Sequence, residues 1–535
     1  MPPRKRKAAE AAALAEEAPA VPEKKPATRG KPAAAAKKGK APAKRSGAAA
    51  DKGKAPSARE AAAKRRRIAK EFAVPLEAGH CFSFGTNPFG ALGLGEDVTE
   101  KPRAGPVELM VPDAAAGGAP RPAAVVQVVA GGMHSAALDR DGVVFTWGVN
   151  DEGALGRPTS GSAWEGVKAS DKEDPALPGI ARMPAGARVV QLAAGDGFTF
   201  ALTEDGAVWG WGCFKDDGSG AAGFPGVTHG KLQRLPHKVY APADTRDHVR
   251  RISAGARHMA ALTRRGEVLT WGMGGQGQLG RVAPYNNDSF PPLEQLLTPA
   301  AVPGVAAEIG SDVADVVCGA YSTFAISGKG AVAAWGLNNA GQLALPLAGG
   351  ELEQQQQQDG QQPGDQQQQE GGGHFHWAPR RVDALQRIAA IAGGEHHTLA
   401  LTRAGAVLSF GAPTYGMLGR SNVDAGASSS ANHAPHPVDL ADGLADERVL
   451  GVAAGTNVSA AVTAGGNLFL WGSNVNYQMA KGPDDDDNAL PTRMRRHKAF
   501  GQRRVMAAAF GGQHGVLLAS DDAAEAAGGS GTPGT

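Results

Sequence analysis

The strongest constraint in this chain is a spacing of glycines. A first glycine is followed 11 residues later by a second and 6 residues after that by a third, at Gly131, Gly142 and Gly148 and again at Gly195, Gly206 and Gly212. The same intervals recur at Gly255, Gly266 and Gly272; Gly319, Gly330 and Gly336; Gly394, Gly405 and Gly411; and Gly455, Gly466 and Gly472. A fixed period of this kind marks stacked supersecondary units, none of which can bury its apolar face alone.

The residues between the glycines say what the unit is. An alternating stretch such as His134-Ser135-Ala136-Ala137-Leu138 fills the first interval. The second glycine follows a polar residue and predicts a two-residue hairpin turn, where only glycine takes positive φ without cost. Five residues then read as a second strand, VVFTW in the first unit and EVLTW in the third, ending in an aromatic that should pack between neighbouring units. Apolar runs such as VVQVVA (125–130) precede the first glycine and supply another strand, and a further one fits in each variable connection.

The two ends complete the pattern. Gly511 starts a seventh copy that stops before its second glycine, and Gly79 and Gly85 flank HCFSF with the interval of 6 that this copy lacks. Both ends should therefore share one sheet, closing seven units into an all-β, seven-bladed β-propeller with no open edge between first and last. A chain with Gly 75, Pro 36 and 42% hydrophobic residues is turn-rich enough for many short strands and too turn-rich for a helical bundle.

Outside the ring, residues 1–72 hold hardly any large apolar side chains and are expected to form a disordered basic tail, with the propeller over 73–520 and a second disordered tail over 521–535. Residues 1–71 carry 21 Lys/Arg against 7 Asp/Glu, which leaves 34 against 46 in the remainder. The tail wants an anionic partner, and the body favours a cationic one. Two clusters, Arg4-Lys5-Arg6-Lys7 and Lys64-Arg65-Arg66-Arg67, resemble nuclear-import signals and would contact DNA phosphates. The glutamine-rich insertion at about 346–376 reads as a disordered surface loop. Cys81, Cys213 and Cys318 are scattered, with no metal-ligand spacing, and no run approaches the length of a membrane helix. Phosphate-loop, HExxH and GxSxG motifs are absent, so no covalent chemistry, metal or cofactor is expected. The adjacent pair His396-His397 would point to opposite faces of a strand, and His258 and His397 read as residues that define the blade.

The strings AGGMHS, NDEGALGR (150–157), CGAYSTFAIS (318–327), GGEHHT (393–398), NYQ (476–478) and GGQHGVLL (511–518) make the chain resemble the regulator of chromosome condensation family, exchange factors for the small nuclear GTPase Ran, over about 79–520. The resemblance implies a monomeric guanine-nucleotide exchange factor of the nucleus, associated with chromatin, with histones as a further candidate partner, acting in nucleocytoplasmic transport and mitosis. It puts His134, Asp196, Arg257, His396 and His514 at Ran-facing positions. It also makes Phe214-Lys215-Asp216-Asp217-Gly218-Ser219-Gly220 the wedge that presses on the GTPase, a segment that already stands out because it lacks the Leu-Gly found eight residues past the third glycine in other repeats, as at Gly93, Gly156, Gly280 and Gly419. Three positions depart from the family: Arg257 stands where it has an aspartate, Pro88 replaces an acidic contact, and Gly341 replaces a histidine. The loop 282–299 lacks the basic residues with which the family grips histones, so chromatin binding would rest mainly on the tail. The alternatives are a non-catalytic scaffold of the same repeats, a plant UV-B photoreceptor, against which the Trp-free turns GGMHS and GARHM argue, and a propeller enzyme, for which no convergent carboxylate set is visible.

Overall fold

A computed structural model of the 535-residue chain describes residues 62, 63, 66, 72 and 77–520, except 114–117, 162–163, 165, 217–219, 227–231, 284, 286–288, 347–373 and 424–431. Seven four-stranded antiparallel sheets are present. Blade 1 spans 125–180, blade 2 189–240, blade 3 249–301, blade 4 313–381, blade 5 388–437 and blade 6 449–493. Blade 7 takes its two inner strands, Val505–Phe510 and His514–Ala519, from the C-terminal end, and its third and outer strands, His80–Thr86 and Glu100–Val107, from the N-terminal end. The seam that closes the ring pairs His80 with Ala519, Phe82 with Leu517 and Gly85 with His514. HCFSF thus lies beside GVLL, as the glycine count requires.

Each blade is a meander whose second and third strands are buried on both faces. In blade 1 every residue of His134–Asp139 and Val144–Gly148 is buried. Trp147, Trp211, Trp271, Trp335 and Trp471, the last residues before the third glycines, are fully buried and fill the spaces between blades. One expectation changes. The turn joining these strands has three residues, not two: Asp139 N–H donates to Val143 O at 2.8 Å and Gly142 N–H to Asp139 O at 2.9 Å. Gly142 at φ 92° supplies the left-handed step that follows a tight turn in hairpins of this length.

The other two glycines are fixed by close approach. A Cβ on Gly131 would lie 2.3 Å from His134 Cε1 and 2.4 Å from Gly195 O of the next blade. Gly85 combines φ 112° with a would-be Cβ 2.6 Å from Gln513 O, across the closing seam. Both are backbone constraints, which is why the ruler survives while the connecting loops vary.

In such a meander successive turns alternate between the two faces of the ring. The turns after the first glycines and the connections from third to outer strand lie on one face, here called the wedge face. The hairpins at the second glycines and the connections from outer strand to next blade lie on the other. The third strand of blade 7 runs towards the wedge face, so the chain enters the ring at Gly79 on the opposite face.

Apart from residues 62, 63, 66 and 72, which are helical where the sequence predicts a disordered tail, the basic tail falls outside the described residues, as do the glutamine runs and the C-terminal segment. Phe72 is 2% exposed and belongs to the apolar cluster of blades 2 and 3, and the outer strand of blade 4 begins at Phe375, inside the range assigned to the insertion. No helix among the described residues is long and apolar enough to cross a membrane.

Candidate functional site

The wedge face is built over a ring of backbone contacts. Around the axis, the turns after the first glycines bond one to the next: Gly512 N–H to Gly132 O at 2.9 Å, Asp196 N–H to Ala256 O at 2.9 Å, Ala256 N–H to Ala320 O at 3.0 Å and Ala320 N–H to Gly394 O at 3.0 Å. They surround an axial cavity of about 630 Å³ into whose lining Asp196 and Glu395 fall.

Immediately behind the turns, histidines staple blade to blade. His134 Nε2 lies 2.8 Å from Thr199 Oγ1, His258 Nε2 2.8 Å from Thr323 Oγ1, His397 Nε2 2.8 Å from Ser459 Oγ and His514 Nε2 2.8 Å from Ser135 Oγ. Each hydroxyl donates onward to a carbonyl, as Thr199 does to Ala154 O at 2.9 Å and Ser459 to Met417 O at 2.8 Å. A hydroxyl that donates forward must accept from the imidazole, so Nε2 carries a proton, and burial disfavours a second one on Nδ1. Burial pushes the four imidazoles down, to about 3 for His134 and His258 and about 4 for His397 and His514. His134 and His514 are 1% and 0% exposed. The partner-facing role that the resemblance gives them is therefore corrected: they define the blade, as His258 and His397 do, and cannot touch a partner while the ring is intact.

Asp196, Arg257 and His396 do reach the wedge face. Asp196 Oδ2 lies 4.0 Å from Arg257 Nε, and the Arg257 guanidinium sits 5.6 Å from the centre of the Tyr321 ring. The cation at 257 is thus turned onto its neighbours' acid and ring instead of standing alone towards solvent. His396 is half-exposed, with Nε2 3.7 Å from Glu395 Oε1. At Gly341 the space a side chain would need is taken: a Cβ there would lie 2.1 Å from His433 Cδ2. An imidazole therefore stands at that place after all, supplied by the next blade. Sequence reading missed His433 because it lies in a variable connection with no repeat register. Pro88 opens a short turn in which Phe89, 74% exposed, is held at φ 54°.

Phe214–Lys215 and Ala222–Gly223 pair as a separate two-stranded hairpin in the connection from third to outer strand of blade 2. Its tip, Asp217, Gly218 and Ser219, lies outside the described residues, and Gly220 follows at φ 67°. The base is fixed by apolar packing. Phe214 is fully buried, its ring 4.2 Å from Phe198, 5.9 Å from Phe200 and 6.1 Å from Phe224. Lys215 pairs with Glu152 of blade 1, and that hydrogen bond raises the lysine's pKa. Glu96, Asp97, Asp151 and the run Asp484-Asp485-Asp486 are exposed on other connections of the wedge face, which makes that face acidic. Of the tail cations, Arg66 is exposed and Lys64, Arg65, Arg67, Arg4, Lys5, Arg6 and Lys7 lie outside the described residues.

Residues 80–517 match the RCC1-like domain. The chain belongs to that family. It is 33% identical over 453 residues to the human regulator of chromosome condensation, covering 83% of this chain and 91% of that one. It is 29% identical over 477 residues to the guanine nucleotide exchange factor SRM1 of Saccharomyces cerevisiae, at 83% and 88% coverage. The crystal structure of Prp20p from the same yeast, described with its binding properties to Gsp1p and histones, superposes with TM-score 0.65 at 26% identity over 86% of this chain and 95% of Prp20p. Exchange factors are thus among the relatives of this family member, and the propeller is their fold.

Proposed function

We propose that the chain is a guanine-nucleotide exchange factor for the small nuclear GTPase Ran, working in the nucleus on chromatin, with Ran received on the acidic wedge face and DNA on the opposite one. The observation that carries this is the hairpin 214–223, seated on buried aromatics on the face that carries the exposed carboxylates. Exchange needs no bond-making by this chain. A partner that binds the empty GTPase more tightly than the loaded one must weaken nucleotide binding by the same factor, and incoming nucleotide then expels the partner. Such a partner needs a rigid platform, an interface and a wedge. The ring offers the platform, and Asp196, Arg257 and His396 together with the wedge are the contact residues we assign. An acidic face speeds encounter with a basic partner surface. Relatives named as exchange factors, and Prp20p with its binding to Gsp1p and histones, support the reading. Residues 1–72 we assign to nuclear import and DNA contact through Arg4–Lys7 and Lys64–Arg67.

Release of labelled GDP from Ran tests the proposal: acceleration by catalytic amounts of the chain is expected. The second reading, a scaffold without exchange activity, is favoured by Arg257, which neutralises an acid of the candidate contact. No acceleration at micromolar protein leaves only that reading.

A further inference from the structure

A hairpin with only two paired residues on each side does not hold its own direction, since even longer two-stranded hairpins are marginal in water. The wedge is of this kind, with Phe214–Lys215 paired to Ala222–Gly223 and Asp216 N–H closing on Ala221 O at 2.8 Å. Buried Phe214 roots the first strand in blade 2. A root on one strand leaves the angle of the hairpin to be set by what flanks it, and both flanks come from other blades.

On one side, Lys215 pairs with Glu152 of blade 1. Glu152 is itself placed: its Cγ is 3.2 Å from the position a Cβ on Gly197 would take, and Gly197 O accepts the Cys213 N–H at 2.9 Å. Cys213 directly precedes Phe214, so the acid and the start of the hairpin rest on the same turn.

On the other side stands the short helix Leu293–Leu297, in the connection from third to outer strand of blade 3. Leu296 and Leu297 are buried in the apolar cluster that holds Phe214 and Phe224. A Cβ on Gly223 would lie 2.9 Å from Leu297 Cδ1 and 3.8 Å from Leu293 Cδ1, so the second strand of the wedge lies directly on this helix. Tyr285 of the same connection is docked on blade 3 by Gly274 N–H, which donates to its Oη at 3.0 Å. That Oη and Asp216 Oδ1 flank Gly275, each 3.9 Å from where its Cβ would be.

A helix of five residues is too short to persist unaided, and its last carbonyls need donors. Arg281 supplies them. Its guanidinium donates from Nη1 to Gln295 O at 3.0 Å and from Nη2 to Leu296 O at 3.1 Å and Thr298 O at 3.0 Å. From Nε it donates to Thr270 O, in the third strand of blade 3, at 3.1 Å. Burial pushes the arginine's pKa down, and carbonyls hold the charge. One planar fork thus ties the helix under the wedge to a strand of the ring, a span that the single nitrogen of a lysine does not cover.

We infer that Arg281 and Glu152 are positioning residues that aim the wedge from blades 3 and 1. The inference rests on the exchange activity proposed above and adds that the direction of the hairpin, set outside its own blade, governs how fast nucleotide leaves. Neither residue acts on the GTPase directly; both act through 214–223.

The test uses the full chain and its Arg281→Met, Arg281→Lys and Glu152→Ala variants. Amide exchange of the free proteins is measured first. Across 213–223 it should rise about tenfold or more in Arg281→Met, which loses hydrogen bonds from a charged group, while Val505–Phe510 stays as protected as in the parent. GDP release is then followed against Ran concentration. A wedge displaced by about 1 Å should lower the maximal rate about ten- to a hundredfold and leave the half-maximal Ran concentration within about twofold. Arg281→Lys should fall with it, because it keeps the charge without the fork. Glu152→Ala should show the same split at about two- to fivefold, since its ion pair is partly exposed. If Arg281→Met loosens blade 3 as a whole, Glu152→Ala, which leaves every strand of the ring intact, carries the test. Unchanged amide exchange across 213–223 in Arg281→Met and Glu152→Ala overturns the inference. A raised half-maximal Ran concentration at an unchanged maximal rate also overturns it, by making the two residues part of the binding surface. A parent chain that releases no GDP from Ran sinks the exchange reading instead, and the amide exchange still decides whether Arg281 and Glu152 hold the wedge.

Discussion

Acid should loosen this ring through its four stapling imidazoles. The folded values of His134, His258, His397 and His514, about 3 to 4, lie well below the ordinary histidine value of about 6.5. The unfolded chain therefore binds more protons than the folded one between these limits. Stabilisation is complete above about pH 6.5 and is lost as the pH falls towards the folded values. Between pH 7 and pH 5 each imidazole forfeits about 2 kcal/mol, and the four together on the order of 8 kcal/mol, comparable with the whole stability of a typical domain. Carboxylates of ordinary pKa contribute little in this window. Urea unfolding followed by tryptophan fluorescence at the two pH values measures the loss. The decisive comparison is His258→Gln, whose amide can still donate to Thr323 Oγ1 but does not titrate. This variant should lose about 2 kcal/mol less than the parent on going from pH 7 to pH 5. The same loss in both proteins would refute the staple as the origin of acid sensitivity, as would an increase in stability on acidification.

Further outcomes follow from single contacts. Phe214→Ala removes the ring that seats the wedge and should cost about 3–5 kcal/mol of local stability; amide exchange across 213–223 should rise and GDP release from Ran fall, while the strands of blade 7 keep their protection. Arg257→Ala frees Asp196 of its guanidinium neighbour and should speed GDP release several-fold at low salt, measured as the initial rate against ionic strength. Gly85→Ala forces a Cβ into the closing seam at a left-handed φ and should cost at least about 2 kcal/mol, read from the urea midpoint.

The ring was legible because its glycines answer to backbone geometry, which a one-dimensional spacing records directly. Gly85, Gly148 and Gly272 share φ between 106° and 112°, so no side-chain context was needed to find them. The outer strands left no such trace. They range from two residues in Gly179–Ile180 to eight in Gln233–Tyr240, are mostly half-buried, and sit in connections whose lengths differ. The staples were half legible. A histidine three residues after the first glycine is visible, but its partner is a hydroxyl 65 residues away, Thr199 for His134 and Thr323 for His258. The signal was present as Ser135, Thr199, Thr323 and Ser459, each one place after the histidine position of its own unit.

The wedge explains one of the three junctions that lack a histidine staple; at the other two, Ser322 and Val458 stand at the histidine position. At the four stapled junctions a carbonyl of the preceding blade accepts both the hydroxyl and the indole: Ala91 O takes Ser135 and Trp147, Ala154 O takes Thr199 and Trp211, Gln278 O takes Thr323 and Trp335, Met417 O takes Ser459 and Trp471. Between blades 2 and 3 the wedge occupies the connection that would supply it, and the buried indole N–H of Trp271 has no acceptor among the described residues. The other members have changed in step. Phe198 stands at the histidine position, Met259 at the hydroxyl position, and Trp271 packs 5.5 Å from Phe200. An unpartnered buried N–H costs about 1–3 kcal/mol, and burying Phe198, Phe214 and Phe224 returns about 1.5–3 kcal/mol each. The aromatic box is thus a replacement for the staple, and the wedge is its lid. Restoring only the polar pair, as Phe198→His with Met259→Thr, would give the new hydroxyl no carbonyl to reach and would remove the ring on which Phe214 rests. That double variant should therefore be less stable than the parent and lose the order of 214–223; a gain in stability would show that neither the missing carbonyl nor the wedge that displaces it governs this junction.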